Sequence, residues 1–74
     1  SAGARVSLEY LRRVEQLGVD RATRGEVARR RASCYLEMDM RVEAGKHLSE
    51  AIRILPKSKL LRELMDQLDG YWDE

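Results

Sequence analysis

The chain has 74 residues, one cysteine, no phenylalanine and a formal net charge of +1. This length builds one small domain with a limited core, and a near-zero charge excludes a global field that would gather nucleic acid or an acidic membrane. No apolar run approaches the roughly 18 residues that a spanning helix needs, and the 36% charged content reads as the surface of an all-α protein.

Helix one is expected over 6–18, regular from Leu8 to Leu17. Ser7 is its candidate cap, since a serine oxygen there accepts an orphan backbone N–H. Val6 and Leu11 make a candidate hydrophobic staple. Leu8, Leu11, Val14 and Leu17 recur every three residues beside Tyr10, as one apolar stripe. Gly18 supplies a left-handed stop.

Helix two is expected over 24–38. Thr23-Arg24-Gly25-Glu26 reads as a capping box. Ala28 and Ala32, four apart, with Tyr35 three later, form a narrow, smooth face that another helix approaches closely. Helix three is expected over 41–55, with Asp39 as its cap and Val42, Ala44, Leu48, Ala51, Ile52 and Leu55 as its buried stripe. Pro56 ends it, because proline lacks an N–H and restricts the residue before it. Helix four is expected over 59–72, capped by Ser58. Its apolar face is Leu60, Leu61, Leu64, Met65, Leu68 and Trp72, and its outer face is acidic (Glu63, Asp66, Asp69, Asp73, Glu74). Short connections make these helices antiparallel neighbours.

Residues 25–58 resemble one tetratricopeptide repeat, a helix-turn-helix unit of ~34 residues. Ala32 stands at the family's small position and Tyr35 at its aromatic one. Ala44, after Glu43, matches the Glu-Ala pair of the second helix. Leu48 takes the large position, Ala51 the second alanine and Pro56 the terminal proline. The chain departs from the pattern at Ala28, Arg31, Asp39 and Arg41, where large aromatic, leucine, glycine and aromatic residues are usual. Residues 59–74 do not repeat it, since Asp66 and Asp69 fall at the small and aromatic positions. Helix one does not precede it in register either. The resemblance implies a single repeat within one domain over 1–74, with a flanking helix on each side and the last acting as a terminal cap. Such a piece is the end of a longer superhelix or a stand-alone module.

The family uses the first helix of each repeat to line a groove that holds a peptide. Carried onto this chain, that points to a protein-protein interaction module whose partner docks on Arg29, Arg30, Ser33, Leu36 and Glu37. Arg30-Arg31-Ala32 is also similar to the last repeat of heat-shock co-chaperones, where an arginine at the position of Arg30 helps clamp a C-terminal carboxylate. The companion lysine of that clamp is Glu26 here, which repels a carboxylate. Trp72 either closes the core against helix three or, exposed, anchors a partner. Oligomerisation through the apolar faces of the end helices is the structural alternative.

The remaining polar features are weak signals. Arg21, Arg24, Arg29, Arg30 and Arg31 spread over more than half of a helix circumference. They read as a solvated face with partners such as Glu26 with Arg30. Nucleic-acid binding ranks last, because Tyr10, Tyr35, Tyr71 and Trp72 do not interleave with the arginines. His47 has no second ligand at metal spacing. Cys34 lacks a positioned base and reads as a small hydrophobe. No enzyme activity, cofactor or metal is expected. One unpaired cysteine without a signal segment leads us to expect an intracellular compartment, cytoplasm or nucleus.

Overall fold

The structure, a computed structural model, describes residues 2–68. All its regular elements are helical: α1 (Ala2–Gln16), α2 (Arg21–Glu37), α3 (Arg41–Ile54) and α4 (Lys59–Gln67). The all-α class expected from the sequence holds among these residues. Tyr71 and Trp72, and the acidic residues Asp69, Asp73 and Glu74, lie outside the described residues.

Helix α1 begins earlier than expected and turns a different face inward. Ser7 lies within it and caps nothing. Val6 is 69% exposed while Leu11 is buried, so the staple does not form; five residues place the two roughly 140° apart around a helix. A strict three-residue repeat drifts backwards by roughly 60° per step. Leu11 is therefore central, Leu8 and Val14 are half-buried, and Leu17 is 84% exposed in the turn beyond the helix. Ala4, at the start, is buried instead. Gly18 adopts φ 79°, the left-handed stop expected of it.

Helix α2 is capped by Asp20, not Thr23. The Asp20 carboxylate accepts from the Thr23 backbone N–H at 2.8 Å, and its carbonyl accepts from Arg24 at 2.9 Å. Aspartate is the stronger cap, and Thr23 becomes the third helical residue. The expected cap Asp39 does not serve α3. Its φ is +57°, so it occupies the left-handed turn that closes α2, with its N–H donated to Leu36 O at 3.0 Å. Met40 holds the cap position of α3 without a side-chain bond. Ser58 does cap α4, accepting from the Leu61 N–H at 3.4 Å.

The core sits where α2, α3 and α4 meet. Ala28 and Ala32 face Ala44, Leu48 and Ala51, and Leu61, Leu64 and Leu68 close the far side. Small residues let α2 and α3 approach closely. Gly25 marks the tightest point: a Cβ there would lie 2.7 Å from Leu55 Cγ and 2.8 Å from Ile54 Cγ2. Val42 is exposed, because two residues before Ala44 is 200° around the helix. Leu60 and Met65 are exposed flanks of α4.

Candidate interaction groove

Helix α1 joins α2 through a second, smaller contact. Ala4 and Leu11 are buried on α1, and Val27 on α2. Beside them Arg31 reaches across to Glu15, with Nη2–Oε1 at 3.1 Å and Nη1–Oε2 at 3.3 Å. The Arg31 side chain is 15% exposed. The sequence led us to expect it, with the other arginines, on a solvated face. It is instead a two-bond strut between helices, a geometry that the planar guanidinium supports.

The two helices diverge on one side of this contact and leave an open groove of about 800 Å³. Leu11, Val14 and Val27 form its floor, and Tyr10 stands at its wall. The α2 edge carries Glu26, Arg29, Arg30 and Ser33. These α2 residues recur at helical spacing and so share one face.

The polar edge is internally organised. Arg29 donates from Nε and Nη2 to Glu26 Oε2 at 3.2 and 2.9 Å, and its side chain is 16% exposed. The expected partner of Glu26, Arg30, is displaced by this i,i+3 pair. Arg30 is exposed and makes no ion pair among the described residues. It is the cation that the groove presents to solvent.

The six residues expected at a binding face are thus divided. Arg29, Arg30 and Ser33 line the groove. Leu36 is half-buried and packs against the core, three residues and so roughly 60° from Ser33 toward α3. Glu37 is exposed at the end of α2, outside the groove lining. Trp72 lies outside the described residues. The sequence reading missed the α1 side of the groove, because it placed the binding face on α2 alone and read Leu11 and Val14 only as part of one apolar stripe. Its signal was there in Tyr10, an aromatic beside a stripe whose drift leaves one edge in water.

Cys34 also reaches the groove. Burial, then the Glu37 charge, push its thiol above the ordinary value, while Ser7 and the Arg30 charge act the other way. A protonated thiol is a weak nucleophile. On the other side of the α1–α2 contact, His47 stacks on Tyr35 with ring centroids 5.3 Å apart and planes 5° from parallel. This pair opens on a smaller recess that Arg5, Arg12 and Arg31 share. Burial first, then the Arg31 charge, hold the imidazole below its ordinary value, against Glu50, Glu43 and Glu15. His47 is a half-buried packing residue here.

Among the described residues, no group of three or more His, Cys, Asp or Glu could hold a metal ion, and no helix is long and apolar enough to cross a membrane. No family model, no curated protein and no solved structure matches this chain.

Proposed function

We propose that this chain is a tetratricopeptide-like interaction module, without catalytic function, that holds a peptide or helix of another protein between α1 and α2. One observation carries the reading: an apolar floor of Leu11, Val14 and Val27 lies beside Arg30, a guanidinium with no carboxylate partner among the described residues. An apolar anchor on the partner fills the floor, and a carboxylate on it meets Arg30. The Glu26–Arg29 pair holds the edge rigid and leaves the second charge neutralised.

The test is a peptide selection against the whole chain, followed by affinity measurement on the Arg29→Ala, Arg30→Ala double variant. Loss of one charge-assisted contact weakens binding by about tenfold or more, with the helical circular-dichroism signal kept. Equal affinity for wild type and variant removes the groove assignment.

A second reading, oligomerisation through the end helices, has its own observation. The outer face of α4 is charged, with Lys59, Arg62, Glu63 and Asp66 exposed. The exposed apolar residues of α4, Leu60 and Met65, flank that face, whereas on helix α1 Val6 and Tyr10 lie exposed along one line with Leu17 just beyond its end.

A further inference from the structure

We infer that the outer face of α1 pairs with α1 of a second copy, antiparallel and about a two-fold axis. This goes beyond the groove reading, because it concerns the solvent face of α1 beside the groove, shares only Tyr10 with the groove wall and does not depend on Arg29 or Arg30. The observation behind it is the set Val6, Tyr10, Arg13 and Leu17. All four are exposed, and they are spaced four, three and four residues apart, the interval of a coiled-coil seam. Leu17 extends the line past the helix end, its N–H held to Val14 O at 3.1 Å. On the reverse of the same helix Ala4 and Leu11 are buried against the domain. Among the described residues, helix α1 therefore has one satisfied seam and one unpartnered seam.

The sequence of the open seam is self-complementary in one direction only. With the helices antiparallel, Val6 lies opposite Leu17 of the second copy, and Leu17 opposite its Val6. Tyr10 lies opposite Arg13 of the second copy, and Arg13 opposite its Tyr10. Each layer thus joins apolar to apolar, or a guanidinium to a tyrosine face. Glu9, four residues before Arg13, flanks the seam and can meet the Arg13 that arrives from the second copy. Within one chain Glu9 Oε1 already accepts from Arg12 at 2.7 Å and, less closely, from Arg13 at 3.4 Å. The longer bond is the one that the second copy exchanges. A parallel pairing would set Arg13 against Arg13, which like-charge repulsion disfavours. A two-fold contact uses the same patch on both copies, which suits a seam whose two ends mirror one another. A domain of this size also has few other means of enlarging its core.

Sedimentation velocity on the full chain, over a concentration series, tests the pairing. The weight-average mass is expected to rise toward twice the 8.6 kDa monomer. Leu17→Glu, placed in an exposed turn, should weaken association by about tenfold or more without changing the helical signal. Glu9→Arg and Arg13→Glu should each weaken it, since each sets like charges in both symmetric pairs. Their equimolar mixture should recover it, because every cross-pair is then opposite in sign. Arg29→Ala, Arg30→Ala should leave it unchanged, which separates this inference from the groove reading. A monomer at every concentration up to about 1 mM, a dimer indifferent to these variants, or a mixture that fails to recover would each overturn the pairing.

Discussion

Three residues carry most of what a single substitution can reveal. Gly25 is where α2 and α3 nearly touch, and a methyl there meets the Leu55 branch point at 2.7 Å. Alanine has the better helix propensity, by roughly 1 kcal/mol. Overpacking costs about 1–3 kcal/mol and should win, because Leu55 Cγ cannot swing aside. Gly25→Ala is therefore expected to lower the unfolding free energy, seen as a lower urea midpoint; a higher midpoint would show that α3 yields freely. Asp39 holds a left-handed φ of 57°. Aspartate tolerates this better than most residues, yet glycine tolerates it best. Asp39→Gly should raise stability by about 0.5–1 kcal/mol, measured in the same urea titration. His47 gives the pH dependence. Its folded value lies below its ordinary 6.5, so the unfolded chain binds the proton first. Stability is then full above about pH 6.5 and falls as pH drops through that value toward the lower folded one. The carboxylates Glu9 and Asp20 are held below ordinary values of 4.5 and 3.8, so their contribution is lost only in more acid solution. His47→Phe keeps a ring on Tyr35 and should flatten the stability profile just below about pH 6.5. A slope that persists in this variant would assign it to another group.

At the scale of elements, the sequence was most legible where packing alone decides. Ala28, Ala32, Ala44, Leu48 and Ala51 were singled out for a close helix pair, and all five are in the core. The C-terminal end of α3 and the cap of α4 were likewise readable from Pro56 and Ser58. The caps of α2 and α3 were not. Asp20, Thr23 and Asp39 are all capping types, and choosing among them depends on backbone torsions that tertiary contacts fix. The first helix was misread for a different reason. A three-residue repeat is compatible with two faces of a helix, and only the position of α2 decides which one is buried. Arg31 was legible as a departure from the family pattern but not as a strut. Its partner Glu15 is sixteen residues away, beyond any local spacing rule. Glu15→Gln removes the charge from this partly buried pair and should destabilise the chain by about 1 kcal/mol. It should also loosen α1 before the rest, which amide hydrogen exchange would detect as faster exchange confined to α1. Uniform acceleration over all helices would contradict this.

At the scale of the molecule, the division of labour is between a core that sets the shape and a groove that the core does not fill. The α2–α3–α4 core uses its alanines and leucines wholly for packing. The candidate site lies on the other side of α2, where α1 is held by a small apolar contact and the Arg31 strut. That is why the site was only half visible beforehand. Arg29, Arg30 and Ser33 follow from the helical spacing of α2, whereas Tyr10, Leu11 and Val14 enter only once the angle of α1 is known. Both proposed surfaces belong to α1, so its attachment governs the binding of any partner and the pairing of two copies.

The most direct test of the central claim is a map of backbone amide shifts during titration of wild-type chain with a selected peptide, at fixed protein concentration. The account predicts that the largest changes fall on Tyr10, Val14, Glu26, Arg30 and Ser33, on the two walls of one groove. Changes centred on α3 or α4, with those five amides still, would contradict it.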